Sequence, residues 1–122
     1  MTICYDLRFP KLFQDLAING AEIITVPSAF SKNTGKLHWH TLLRARAIET
    51  GCFIIAPAQT GTHSHGRKTY GHSLIISPWG QIIADAKKDT NLINAKINLD
   101  IVKEARLAIP NLNAQRKYLT DL

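Results

Sequence analysis

Cysteine is scarce in this 122-residue chain, and it has no long apolar run. Cys4 and Cys52 do not form a C-x-x-C pair, and we expect two free thiols rather than a disulfide. No stretch approaches the length of a membrane span. The amino terminus does not show the basic, apolar and small-residue order of a signal peptide. These absences predict a soluble, cytoplasmic protein.

The net charge is +6 at pH 7, from 15 basic and 9 acidic residues. A basic surface can attract nucleic acid or an anionic membrane. Here, however, the basic residues are spread along the chain in pairs such as Arg67-Lys68 and Lys87-Lys88, and exposed aromatics do not interleave with them. We therefore expect a basic surface that suits acidic small molecules better than nucleic acid, and predict neither nucleic acid nor a membrane as a partner.

Apolar periodicity predicts alternating helices and strands. Residues 10–19 carry one helical stripe, with Pro10 at the start and Gly20 past the end. Further helices are predicted at 37–50, closed by Gly51, and at 99–108, capped by Asn98. Strands are predicted at 23–26, 52–58, 72–77, 81–84 and 91–97, with loops at 28–36 and 60–69 and a tail at 111–122 that packs against a partner or frays. This order predicts an α/β fold with a mixed sheet and packed helices, half of a layered sandwich.

Five histidines raise the question of a metal site, because His38/His40 and His63/His65 are H-x-H pairs. On a helix, residues i and i+2 point about 200° apart, so His38 and His40 cannot share an ion. The loop pair lacks the further ligands that zinc needs. No metal and no cofactor are predicted.

Cys4 follows an apolar segment and precedes a charged turn, the layout of a strand–nucleophile–helix junction. A structural role for this thiol stays open on spacing alone, and so does a Cys–His dyad with any of the five histidines. His72 opens a predicted strand and is interpreted as a core histidine with satisfied nitrogens. Residues 61–66 do not complete a phosphate-binding loop pattern.

The segment Cys4-Tyr5-Asp6-Leu7-Arg8-Phe9-Pro10 closely resembles the nucleophile segment of the carbon–nitrogen hydrolase (nitrilase) superfamily. The sequence motifs are most similar to those of the Nit-type branch, which includes an amidase acting on deaminated glutathione. The resemblance continues through Gly20-Ala21-Glu22, Pro27-Ser28-Ala29-Phe30, Thr34-Gly35, His38-Trp39, the segments 43–49, 58–61, 70–73 and 78–80, and residues 106–110. It covers nearly the whole chain.

The resemblance implies half of the superfamily's α-β-β-α sandwich and a thiolate nucleophile at Cys4. The thiolate would attack an amide or nitrile carbon, release ammonia or an amine, and leave a thioester for water to hydrolyse. The backbone N–H of Tyr5 would form part of the oxyanion hole. The substrate pocket, for a small amide that can carry a carboxylate, would be shaped by Ser28, Ala29, Phe30, His38 and Trp39.

In that family the cysteine works with a glutamate and a lysine, commonly with a second glutamate, that precede it, whereas three residues precede Cys4 here. Glu22, Glu49 and Glu104 lie downstream and are not assigned the role of base. The resemblance therefore implies that residues 1–122 form the carboxy-terminal half of a carbon–nitrogen hydrolase domain. Without the lysine, the oxyanion loses a cationic donor worth about 3 kcal/mol.

Three hypotheses follow from this departure. The chain is a truncated amidase with little activity alone, or it is half of a split enzyme completed by a separate partner that carries the glutamate and lysine. Alternatively, it is a non-catalytic interaction module, with a homodimer covering its open sheet edge.

Overall fold

The computed structural model describes residues 1–114. Three α-helices and six strands follow a short 3₁₀ segment, Cys4–Arg8. The helices are α1 (Pro10–Ile18), α2 (Lys32–Thr50) and α3 (Asp100–Ala108). The strands are β1 (Ile23–Thr25), β2 (Phe53–Ala56), β3 (Thr60–Thr62), β4 (Lys68–Tyr70), β5 (Leu74–Ile76) and β6 (Ile82–Asp85), with a second 3₁₀ turn at Ser64–Gly66. The predicted tail falls largely on residues 115–122, which lie outside the described part of the chain.

Four strands form the main sheet in the order β1-β2-β5-β6. β1 and β2 are parallel, while β2, β5 and β6 are antiparallel neighbours. The core lies where α1 and α2 pack on this sheet, and its largest fully buried side chains include Trp39, Phe13, Leu43, Ile54 and Ile76. The predicted α/β class with a mixed sheet and packed helices is confirmed.

Helix α2 begins at Lys32, five residues before its predicted start, so the predicted loop at 28–36 is wrong over its second half. Gly35 explains the error, because glycine is ordinarily a loop signal. Here it lies buried inside the helix, where an added Cβ would overlap the side chain of Tyr70. The glycine marks a close approach between α2 and β4. Gly51 ends the helix with φ of 59°, as predicted.

Two further predictions are wrong. The predicted loop at 60–69 contains the hairpin β3–β4, in which Thr60 pairs with Tyr70 and Thr62 with Lys68. The predicted strand at 91–97 is irregular instead. Of its apolar residues, Leu92 is 94% exposed, while Ile93 and Ile97 are partly buried.

Helix α3 is fastened to the rest of the fold by Arg106. Its Nε donates to the carbonyl of Thr50 at 3.1 Å and its Nη2 donates to the carbonyl of Ala21 at 2.6 Å. The N-cap residue of α3 is Leu99 rather than the predicted Asn98, whose side chain accepts the N–H of Asp100 at 3.0 Å just before the helix. Within residues 1–114, no helix combines the length and the apolarity that crossing a membrane requires.

Candidate active site

Residues 2–4 extend the sheet beyond β1. The N–H of Thr2 donates to the carbonyl of Thr25 at 3.0 Å, and the N–H of Cys4 donates to the carbonyl of Pro27 at 2.9 Å. These two bonds run in the pattern of a parallel pair. The return bond between them would have to come from Pro27, which has no N–H. The segment is therefore an edge strand held from one side, and it delivers Cys4 to the end of the sheet.

Cys4 is the point at which this extended segment turns into the 3₁₀ segment Cys4–Arg8. Its φ is 44°, a left-handed conformation that non-glycine residues adopt rarely and at a cost. The side chain is half-buried, and the thiol is free. The first N–H groups of a helical turn have no partner inside it, and Tyr5 provides such a group directly after Cys4. We call residues 2–8 the Cys4 turn.

The far end of the Cys4 turn is held by a buried arginine. Arg46 is 5% exposed, and its Nε donates to the carbonyl of Leu7 at 3.1 Å. Its Nη1 lies 2.9 Å from the Glu49 carboxylate, and its guanidinium lies 5.6 Å from the centre of the Phe13 ring. Glu49 is therefore engaged with Arg46.

An open groove of about 590 Å³ adjoins Cys4. Its lining consists mostly of small and proline residues: Ile3, Cys4, Pro27, Ser28, Ala29, Pro57, Ala58, Gln59 and Ser73. The Ser28 hydroxyl donates to the carbonyl of Val26 at 3.2 Å. The carbonyl of Ala29 accepts Arg67 Nη2 at 2.9 Å. Ser28 and Ala29, two of the predicted substrate residues, thus share one groove with Cys4.

The other predicted substrate residues do not line that groove. Phe30 and Trp39 are 4% and 0% exposed, and their ring centres are 4.9 Å apart in the core. His38 is half-buried, with its Nδ1 3.4 Å from Arg8 Nη1 at the Cys4 turn. The expectation that His38 and Trp39 stand at the start of a helix is wrong, because both lie inside α2. Their roles stay predictions.

A second polar cluster, which sequence reasoning missed, forms around His72. His72 has φ of 57°, and its Nδ1 lies 3.0 Å from Asp85 Oδ1. His40 Nε2 lies 3.5 Å from Asp85 Oδ2. The Tyr70 ring stacks on that of His72, with centres 4.5 Å apart. We call His40, His72 and Asp85 the His72 cluster.

Asp85 is the charged centre of this cluster. Burial by itself raises the pKa of Asp85, but hydrogen bonds from the Lys87 N–H, from His72 and from the Lys87 ammonium outweigh it. The net result is a pKa below the ordinary value, so the carboxylate is ionised at neutral pH. The three residues are 32 and 13 positions apart in sequence. The one local signal was Tyr70-Gly71-His72, where glycine precedes a histidine and allows a left-handed turn.

The chain is similar to known proteins over most of its length. The profile of the carbon-nitrogen hydrolase family matches residues 1–107. A deaminated glutathione amidase from Synechocystis sp. is 52% identical over 112 residues, covering 92% of this chain and 41% of that protein. The chain thus spans about two fifths of the length of that curated relative.

Solved structures of related proteins have a similar fold. The NitFhit protein of C. elegans has a TM-score of 0.92 and 44% identity, covering 95% of this chain and 28% of that one. A mutant of the amidase from Nesterenkonia sp. AN1 has a TM-score of 0.63 and 30% identity, covering 71% of this chain and 32% of that one. That amidase carries the acetamide moiety of fluoroacetamide covalently at its active-site cysteine.

Proposed function

Because the chain belongs to the carbon-nitrogen hydrolase family, we propose that it is the nucleophile-bearing part of a Nit-type amidase with Cys4 Sγ as the attacking group. The observation that carries the proposal is the Cys4 turn, where a strained, half-exposed thiol stands at the end of a sheet beside an open groove. The acetamide adduct on the cysteine of the Nesterenkonia amidase supports thiol chemistry in a related fold.

In the proposed reaction, Sγ attacks the carbonyl carbon of an amide and the carbonyl electron pair moves onto oxygen. The resulting oxyanion accepts a hydrogen bond from the Tyr5 N–H. Collapse of this intermediate breaks the C–N bond, and the departing nitrogen takes a proton and leaves as ammonia or an amine. Water then attacks the thioester carbon, which releases a carboxylic acid and restores the thiol.

These steps need a base to activate the thiol and the water, and a cation beside the oxyanion. Within residues 1–114, no side-chain hydrogen bond or ion pair joins Cys4 Sγ to an acid or a base. We assign both tasks to the glutamate and lysine that the family resemblance implies. Residues 1–122 then act as the carboxy-terminal part of a complete domain, with little activity alone.

The proposed substrate is a small amide that carries a carboxylate. The name of the Synechocystis relative supports an ω-amide of a deaminated peptide as the first compound to test. The chain's net charge of +6 favours an acidic ligand. Ser28 and Ala29 contact the substrate in this proposal, while Phe30 and Trp39 support that wall from inside the core.

The proposed partner surface surrounds the nucleophile. Ile3, Tyr5 and Phe9 are 62%, 66% and 51% exposed, a group of large apolar side chains beside Cys4. Such a patch is typical of a surface that another protein segment covers. We propose that the segment carrying the glutamate and lysine packs there, whether it belongs to the same polypeptide or to a separate one. A homodimer through the same surface is the second arrangement.

The test is alkylation of Cys4 by a thiol reagent across a range of pH, with and without the amino-terminal half of the Synechocystis relative. We expect the midpoint of the alkylation profile to fall when that half is added, because a completed site stabilises the thiolate. Cys4→Ser is the control, since Cys52 is fully buried. An unchanged profile despite demonstrated binding contradicts the proposal.

Ammonia release from the ω-amide measures activity in the same samples. We expect release only from the combined halves, with no release when Cys4→Ser is used. If residues 1–122 alone cleave the amide at an ordinary enzymatic rate, the proposed need for the additional glutamate and lysine is wrong. A folded dimer that stays inactive in every combination would favour the non-catalytic interaction module.

A further inference from the structure

Three side chains of types that bind metals converge at one point away from the Cys4 groove. His40 comes from the middle of α2, His72 from the turn before β5, and Asp85 from the end of β6. One ligating atom from each residue lies within 4.8 Å of the other two. None of the three lines the groove beside Cys4. The amidase proposal therefore leaves this cluster without a task.

Two of the three separations fit ligands that share one ion, and the third, between His40 and His72, is within 4.8 Å. Ligands held at ~2.0–2.1 Å around a tetrahedral zinc ion stand roughly 3.3 Å from one another. His72 Nδ1 lies 3.2 Å from Asp85 Oδ2, and His40 Nε2 lies 3.5 Å from the same oxygen. Two of the three ligand edges thus match without any movement of the backbone.

The cluster is also held in place before any ion binds. The backbone of His72 is fixed at both sides, because its N–H donates to the Lys87 carbonyl and its own carbonyl accepts Trp39 Nε1 at 2.8 Å. The Tyr70 ring stacks on His72 and meets His40 edge-on. Asp85 Oδ1 accepts the Lys87 N–H at 2.7 Å, an outer contact of the kind that orients metal-binding carboxylates.

An ion can reach the cluster from solvent. His72 lines a cavity of about 870 Å³. The side chains of His72 and Asp85 are 14% and 11% exposed, and that of His40 is 29% exposed. The ammonium of Lys87 lies 3.3 Å from Asp85 Oδ2, but this side chain is 72% exposed and free to swing into water.

We propose that His40, His72 and Asp85 form a binding site for a divalent zinc-like cation. Nε2 of His40, Nδ1 of His72 and a carboxylate oxygen of Asp85 are the ligands, and water occupies the remaining position. Two imidazoles with one carboxylate suit zinc and cobalt better than calcium or magnesium, which prefer oxygen ligands. The ion takes the place of the hydrogen that His72 Nδ1 donates to Asp85.

The test is titration of the full chain with Zn²⁺ by calorimetry and with Co²⁺ by visible absorption, in a Cys4→Ser background that removes the exposed thiol. We expect saturable binding of one ion per chain, with the d–d bands of a low-symmetry cobalt site. His40→Gln and Asp85→Asn each remove one ligand. Each should weaken binding by at least the roughly 10-fold that loss of an outer contact costs.

The matched control is His38→Gln, two residues from His40 on the same helix, which should leave metal affinity unchanged. Asp85→Cys provides a positive test, because it keeps three ligands and should add a thiolate-to-cobalt charge-transfer band. Absence of Zn²⁺ binding by the folded chain overturns the site. Binding that survives both His40→Gln and Asp85→Asn overturns it equally, since the ion then lies elsewhere.

Discussion

The Cys4 turn and the turn at His72 each contain a non-glycine residue with a strained backbone, but the contacts around the two residues differ. Each places a non-glycine residue in the left-handed region, with φ of 44° at Cys4 and 57° at His72. At Cys4 it is the backbone that is engaged, because its N–H donates to the carbonyl of Pro27 at 2.9 Å. Around His72 the side chain itself is engaged, with Asp85 and Tyr70.

This difference separates holding a reactive group from activating it. The strain at Cys4 positions a free thiol that has no acid or base hydrogen-bonded to its Sγ within residues 1–114. The strain at His72 is accompanied by contact of its Nδ1 with Asp85 and by stacking of its ring on Tyr70. The two turns therefore share a left-handed residue and differ in whether its side chain has a polar partner.

The largest expected effect is on the support of the Cys4 turn. Arg46→Leu leaves the carbonyl of the fully buried Leu7 without its donor and removes the ion pair with Glu49, so we expect the free energy of unfolding to fall by about 3 kcal/mol. Urea denaturation followed by circular dichroism measures this loss. Arg44→Leu is the matched control, because Arg44 also donates to a carbonyl, that of Gly80, but is exposed. Equal losses for the two variants would show that Arg46 is not the main support.

The next effect concerns the turn at His72. An alanine Cβ at Gly71 would lie 2.7 Å from Thr60 Oγ1 and 3.0 Å from the Lys87 carbonyl oxygen, at φ of 76°. We expect Gly71→Ala to destabilise the fold by about 2–3 kcal/mol. Gly20→Ala, with φ of 94° and open space around it, should cost about 1 kcal/mol. Thermal unfolding separates the two, and a ranking in the opposite order would mean that the His72 turn tolerates displacement.

A smaller effect depends on pH. Asp85→Asn should lower the free energy of unfolding by about 1–2 kcal/mol at neutral pH, because it removes the charge that His40, His72 and Lys87 face. The pKa of Asp85 is lower in the folded chain than its ordinary value of 3.8. The stabilisation is therefore fully present above that value and is lost as pH falls through the folded pKa. Urea titrations between pH 5 and pH 3 should show the two proteins converging, whereas a constant difference would contradict the charge argument.

The smallest effect tests the edge segment. Thr2 is 4% exposed and its hydroxyl donates to the Thr25 carbonyl at 3.1 Å. Thr2→Val removes this bond at nearly constant volume and should cost about 1 kcal/mol. Thr41→Val on the exposed face of α2 should change stability by less than about 0.5 kcal/mol. The rate of hydrogen exchange at the Cys4 amide should increase in Thr2→Val but not in Thr41→Val. An unchanged rate in Thr2→Val would show that Thr2 does not help to position Cys4.

Local signals were enough to predict much of the fold. Pro10 and Gly51 mark a helix start and a helix end because their backbone preferences act on their own residues. Gly35 misled the prediction since its small size serves contact with Tyr70, a residue 35 positions away. The hairpin β3–β4 was missed because its strands are polar, and its pairing is a property of two segments rather than of either one.

The two candidate sites also differ in whether local sequence could predict them. Cys4 stands within a contiguous motif, so its resemblance to a known family was visible in seven residues. His40, His72 and Asp85 come from a helix, a turn and a strand end. Their meeting depends on how β6 pairs with β5 and on how α2 crosses the sheet. Neither relation can be obtained from the spacing of histidines along the chain.

The contact between Ile3 and Asp6 bears on how this protein meets other chains. Thr2 and Cys4 direct their amides toward β1, which leaves the amide of Ile3 facing outward, and the Asp6 carboxylate accepts it at 2.9 Å. A carboxylate in that place occupies the donor that an incoming strand would use and repels an incoming carbonyl. Growth of the sheet by addition of another strand is discouraged at this border. Under the proposed function, the segment that covers the Cys4 turn is therefore expected to pack there through side chains rather than by adding a strand at Ile3.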